Sequence, residues 1–260
     1  MRYFLEFAYD GRHYNGYQEQ PNQPTVQQAV ERVLELLFQV PIKIVGCGRT
    51  DTGVHALQYY AHFDAAPPLP PNFMARVNRL LPADIAVYQI LEVAPDAHAR
   101  FDATSRSYRY VIDAVRNPFR PHQAYYCHYV KDLDLEQLQA AAQLLLDYED
   151  FTTFCKSRTD TKTKLCDLYE SYWTIDKANQ QLIYHVRANR FLRGMIRLIV
   201  GMCLNVAKGN IDLETVRHAL DHQQTLKRAQ SAPPEGLFLL DIRYDYITSA
   251  RLHHPLKQMD

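Results

Sequence analysis

The chain has 260 residues, of which 47% are apolar and 22% charged, and its formal net charge is zero. That balance is ordinary for a soluble globular protein with one large or two modest domains. It excludes recognition of nucleic acid by bulk charge, so any such site must be built from local clusters.

The opening residues Met1-Arg2-Tyr3-Phe4-Leu5-Glu6 alternate like a strand, predicted over 2–8, and no signal peptide is expected. Thr25, with Gln28 three residues on, caps a helix whose apolar face is Val26, Ala29, Val30, Val33, Leu34 and Leu37. Strands are predicted over 42–47 and 56–63, joined by the loop Gly48 to His55. Pro70-Pro71 starts a helix ending near Leu81-Pro82, and a strand follows over 85–93. After an irregular stretch at 94–103, alternation resumes over 104–114 and 124–130. Asp134 caps a helix to about Leu146, and the loop 152–165, with its T-D-T-K-T-K tract, reads as mobile. Strands at 166–175 and 181–188 lead into an apolar helix over 191–208, which Gly209 ends. Asp212 opens a short helix to about Leu220, and 236–244 is a last strand. The order is that of an α+β protein with two similarly built halves, 1–103 and 104–260.

The longest apolar run, 195–207, is broken by Arg197 and Asn205. A membrane span needs roughly 20 mostly apolar residues. The five cysteines are scattered and lack a C-x-x-C pair, offering neither a disulfide framework nor a zinc site, and a reducing cytoplasm is the expected compartment. Basic residues crowd three stretches: Arg100 to Arg120, Lys156 to Lys164, and Arg187 to Arg197. Converging, they would line a cationic cleft; separate, they are solvated surface.

Gly46-Cys47-Gly48-Arg49-Thr50-Asp51-Thr52-Gly53-Val54-His55 is the most informative segment. Its glycines permit tight turns and close ligand approach, while Arg49, Asp51 and His55 bring charge and proton-transfer groups. A plain hairpin with a turn-forming Asp has the same composition. Asp51-Thr52-Gly53 also spells the D-T-G of aspartic proteases, but it occurs once, and no apolar strand leads into it. Arg197 lies in the middle of a helix apolar on all sides. It either meets a buried carboxylate, for which Asp51 is the natural choice, or snorkels to solvent beside Arg193. On a strand, Arg106, Tyr108 and Tyr110 share one face, the interleaving that base stacking and phosphate binding require. A core tyrosine flanked by surface charge has the same pattern.

Taken in order, these segments resemble the tRNA pseudouridine synthase A (TruA) family over nearly the whole chain. The matching residues are Tyr9-Asp10-Gly11 through Gly16-Tyr17-Gln18, Thr25-Val26-Gln27, Gly48-Arg49-Thr50-Asp51-x-Gly53-Val54-His55, and Asn78 with Leu81-Pro82 and Asp84-Ile85. They continue with His98-Ala99-Arg100-Phe101, Arg106-x-Tyr108-x-Tyr110, Asp150-Phe151-Thr152-x-Phe154, Phe191-Leu192-x-x-Met195-x-Arg197-x-x-Val200-Gly201 and Pro234-Glu235-Gly236-Leu237. Departures are small and compact: Tyr17 for Trp, and Cys47 and Thr52 where Ala or Ser is commoner.

The resemblance implies a pseudouridine synthase fold, with mainly antiparallel sheets of two halves joined across a central cleft, and a homodimer. It implies isomerisation of uridine to pseudouridine at positions 38, 39 and 40 of the tRNA anticodon stem-loop, without metal or cofactor. Asp51 would be the catalytic carboxylate, Arg197 its partner, and Tyr108 the residue stacking on the target base. Arg49, Arg106 and Leu237 would bind substrate. A non-catalytic RNA-binding module would need the basic stretches and Tyr108, but not a buried Asp51–Arg197 pair.

Overall fold

A computed structural model of the chain describes residues 1–155, 163–226 and 230–247. The tract 159–164, the basic stretch 156–164 and the middle of the loop expected to be mobile lie mostly outside the described residues. Among the described residues, nine strands form one mixed sheet: β1 (Arg2–Tyr9), β2 (Val45–Gly46), β3 (His55–Asp64), β4 (Ile85–Val93), β5 (Ser105–Asp113), β6 (Tyr125–Tyr126), β7 (Leu168–Asp176), β8 (Gln181–Ala188) and β9 (Leu237–Arg243). Five α-helices accompany them among the described residues: α1 (Val26–Phe38), α2 (Phe73–Leu80), α3 (Leu135–Leu144), α4 (Met195–Ala207) and α5 (Leu213–Asp221). The class is α+β.

The sheet runs β4-β1-β3-β9-β5-β8-β7, with β2 paired to β3 and β6 to β5. The order β4-β1-β3-β2 in the first part of the chain therefore recurs as β9-β5-β8-β7 in the second. The two sets meet where β9 lies parallel to the start of β3, with His55 opposite Phe238 and Ala56 opposite Leu239. Two apolar clusters pack on this frame. One gathers β1, β3, α1 and α2 around Phe4, Phe7, Tyr59 and Phe63; the other gathers β5, β8, α3, α4 and α5 around Tyr110, Tyr184, Phe151 and Ile199. Each borrows from the other side of the seam. Val54 is buried in the second cluster, while Leu239 and Ile242 of β9 are buried in the first. Burying these groups at roughly 25 cal/mol per Å² makes the seam part of the core rather than a hinge.

The local chemistry explains most boundaries. Thr25 accepts the Gln28 N–H and donates its hydroxyl to the Gln28 amide oxygen at 3.0 Å, while Asp134 and Asp212 accept first-turn N–H groups of α3 and α5. Four expectations change. The strand expected over 42–47 shrinks to β2, because the Ile44 N–H donates to the Glu31 carboxylate (3.0 Å) and its carbonyl accepts from Gln27, both on α1. The strand over 124–130 shrinks to β6, because the Cys127 N–H turns to the Asp113 carbonyl and a 3-10 turn follows at Val130–Asp132. The α2 helix starts after Asn72, which adopts a left-handed φ of 53°, rather than at Pro70. The α4 helix starts at Met195, because Gly194 at φ 72° precedes it. No helix among the described residues is long and apolar enough to cross a membrane.

Candidate active site

The glycine-rich loop leaves β2 and returns into β3 at the seam. Its shape is set by neighbours rather than by its own sequence. The Tyr9 and Thr50 hydroxyls lie 2.8 Å apart, and the Thr50 carbonyl accepts the Tyr17 N–H. The Asp51 carbonyl takes the Val54 N–H at 3.2 Å, closing the turn that carries the carboxylate. Gly16, at φ 84°, passes so close that any β-carbon there would overlap the Thr50 carbonyl. Cys47 is buried, and burial pushes its thiol up to about 11, so it packs as an apolar group. Thr52 is exposed.

Arg197 projects from α4 to Asp51. Nη1 donates to Oδ2 at 3.3 Å across 146 residues of sequence, and the two side chains are 15% and 25% exposed. The snorkelling alternative is thereby set aside. Nε donates to the Ala232 carbonyl at 2.6 Å, and the Ala232 N–H returns to the Arg197 carbonyl at 2.9 Å. These two hydrogen bonds tie Ala232 to Arg197, and the first holds the guanidinium. Both depend on Gly201, one turn along α4, where a β-carbon would overlap the Gln230 carbonyl. The same segment continues through Pro234–Gly236, packed on Gly53, into β9.

Tyr108 sits where both apolar clusters meet, edge-on to Phe191 with ring centroids 5.2 Å apart. Burial, then the neighbouring Cys47 and Asp51, hold its hydroxyl pKa above the usual phenol range, while Arg106 acts the other way. It is thus a neutral O–H within the field of Asp51. Leu237 is buried opposite Tyr110, directly after the turn against Gly53. Arg49 is exposed and makes no hydrogen bond or ion pair among the described residues.

Two of the three basic stretches lie wholly within the described residues. Arg106 lies beside the loop, but its guanidinium is spent on main chain. Nη1 donates to Ala103 (3.2 Å) and Asn189 (2.8 Å), Nη2 to Cys47 (3.0 Å) and Arg100 (2.7 Å). Arg109 alternates to the other face and lies over the Phe238 ring at 5.0 Å, and Arg187 pairs with Glu170 at 2.9 Å. His55, although in the motif, is 2% exposed, stacked on Phe238 and accepting the Gly11 N–H at Nδ1. Burial lowers its pKa, against an opposing pull from Asp10, so it serves as a neutral prop. Tyr9, Gly16, Ala232 and Gly201 carry much of this geometry, and only their place in the matching motifs, or nothing for Ala232, marks them in the sequence.

Chemically, the site pairs one carboxylate with one guanidinium beside a half-buried phenol. An opposite charge keeps a carboxylate ionised and oriented. An aspartic protease would instead need a second carboxylate facing Asp51, a place filled here by Arg197.

A sequence model of the tRNA pseudouridine synthase family matches residues 141–245, the part carrying Arg197 and Leu237. The chain is 44% identical over 245 residues to the tRNA pseudouridine synthase A of Parabacteroides distasonis, covering 94% of this chain and 96% of the relative. The protein of that name from Bacteroides thetaiotaomicron is 41% identical, with 94% and 91% covered. That from Bacillus subtilis is 36% identical, with 94% and 100% covered.

Proposed function

The chain belongs to the tRNA pseudouridine synthase A family, and from that premise we propose that Asp51 is the carboxylate with which it converts uridine to pseudouridine in tRNA. It is a pseudouridine synthase, an isomerase acting on tRNA. The finer reading is that it acts at positions 38, 39 and 40 of the anticodon stem-loop, in the cytoplasm, as a homodimer. Residues 1–103 and 104–260 form its two domains, with a cleft between them. The observation that carries this reading is the Arg197–Asp51 contact at the seam, with Tyr108 within reach of the same charge.

The reaction breaks the N-glycosidic bond, turns the uracil and rejoins it through carbon. A carboxylate serves this either as a nucleophile, at sugar or base, or as a base removing a ribose proton. In each route Asp51 must be ionised and aimed, which is the role of Arg197. Tyr108 stacks on the uracil, and its neutral hydroxyl relays the proton lost from carbon in the closing step, taking it up as it passes its own to water. The target must leave its helix, at a cost of a few kcal/mol. Arg49, exposed on the loop and without a hydrogen-bond or ion-pair partner among the described residues, holds the flipped nucleotide or fills its gap. Leu237 packs beside the base. Arg106 contributes by fixing the loop through Cys47 rather than by touching phosphate.

The test is incubation of wild type and Asp51→Asn with unmodified tRNA transcripts, followed by position-resolved pseudouridine mapping. The expected result is product at the anticodon-arm positions with wild type and none with the variant, at similar tRNA affinity. Residual activity within tenfold of wild type would remove Asp51 from the central role.

A further inference from the structure

Phe101 is 74% exposed, yet its loop is tightly held. His98 Nδ1 accepts the N–H groups of Arg100 (3.1 Å) and Phe101 (3.3 Å). Asp102 closes the turn from both sides, its N–H donating to the His98 carbonyl (3.1 Å) and its carboxylate accepting the His98 N–H (2.7 Å) and the Tyr246 hydroxyl (2.8 Å). The His98 ring supports Phe101 at 4.3 Å, and the Arg100 guanidinium lies over the Phe101 ring at 5.6 Å.

A lone apolar side chain on a surface is ordinary and requires no explanation. Three things set this one apart: the ring is held in place, it carries a cation, and its turn is tied to the loop of the site. The last point follows from Arg106, whose Nη2 bonds both the Arg100 and the Cys47 carbonyls. The Phe101 turn and the loop that presents Arg49 and Asp51 therefore share one guanidinium nitrogen.

We propose that Phe101, with Arg100, is a stacking platform for an unpaired base of the tRNA beside the target nucleotide. The idea rests on the reading of the neighbouring site as a tRNA-modifying centre. Extracting one nucleotide leaves its neighbour without a stacking partner. A rigid aromatic face restores that contact for any base, because every base has a π-face, and the adjacent guanidinium adds attraction to it and to phosphate.

The experiment measures binding of an unmodified tRNA transcript across a salt series, and kcat/KM, for wild type, Phe101→Ala, Phe101→Trp and Arg100→Gln. Phe101→Ala should weaken binding by about tenfold, and Phe101→Trp should restore it. The slope of log Kd against log salt should be unchanged in Phe101→Ala and reduced by about one in Arg100→Gln, since only the latter loses an ionic contact. Because the ring is exposed, thermal stability and oligomeric state should match wild type. Wild-type Kd and kcat/KM in Phe101→Ala would overturn the proposal. A fall of several degrees in Tm would mark the ring as a structural prop, and a changed oligomeric state would mark it as a subunit contact; either would also overturn it. The Asp51→Asn assay is independent: activity there would defeat the catalytic reading, whatever Phe101 does to binding.

Discussion

Arg197→Met removes the guanidinium from Asp51 and leaves the helix apolar. The contact is single and, at 3.3 Å, longer than the roughly 2.7–2.9 Å of a strong charge-assisted bond. Its gross attraction is about 5 kcal/mol at an effective dielectric of about 20, and about 1 kcal/mol in water. Desolvation offsets part of this, and both side chains keep some exposure, 15% and 25%. The cost should therefore lie below the roughly 3–5 kcal/mol of breaking a fully buried pair and above the roughly 0–1 kcal/mol of a surface one. About 2 kcal/mol is expected, including the Ala232 carbonyl left without its donor. For a chain of this length that lowers Tm by roughly 4–8 °C. Activity should fall much further, because Asp51 loses its orientation. Arg197→Lys keeps the charge without the planar fork, and should fold better yet remain impaired. In Arg197→Met with Asp51→Asn no lone carboxylate remains, so the double variant should be more stable than Arg197→Met alone. Denaturant unfolding of wild type, both single variants and the double variant gives the coupling energy, expected at about 1 kcal/mol. Additive changes, with coupling below about 0.5 kcal/mol, would refute the pairing on which the mechanism rests.

Tyr108→Phe should keep tRNA binding while slowing the completion of product, and Tyr108→Ala should weaken both; wild-type rates for the two in single-turnover assays would reduce Tyr108 to a core residue. Gly201→Ala should displace the 230–232 segment from α4, and with it the Ala232–Arg197 contacts, lowering activity without touching any substrate group; an unchanged kcat would show that the segment yields freely. Affinity for tRNA should fall steeply as salt rises, since phosphate contacts release counterions, and a flat dependence would argue against a polyanionic substrate. His62 is 4% exposed and accepts the Ala99 N–H. Burial first, then Arg2 and His98, depress its pKa to about 4. The unfolded chain thus binds this proton more tightly, so stability is full above about pH 6.5 and declines as pH falls towards 4, by up to about 3 kcal/mol. His62→Asn should flatten that part of the stability–pH curve, and an unaltered slope would assign it to other groups.

The α1 helix, its Thr25 cap, the caps at Asp134 and Asp212, and most long strands were legible in the amino-acid order, because each is decided within a few residues by periodicity and capping. The motif proposed as catalytic was marked by its resemblance to a family. The short elements were not legible. Residues 42–44 carry a strand's composition, but Glu31 and Gln27 of α1 take the main-chain N–H and carbonyl of Ile44, and nothing local announces that competition. For Arg197 the sequence left two outcomes open. Which holds depends on where Asp51, 146 residues away, arrives, and that is set by β9 entering beside β3 to join the two halves of the sheet. The same closure turns Arg106 from an apparent phosphate ligand into a brace on four carbonyls and makes His55 a buried prop. Composition and spacing establish which chemical groups are available. Only the packing decides which are spent on the fold and which, like Asp51, Tyr108 and Arg49 in the proposed mechanism, are left to act.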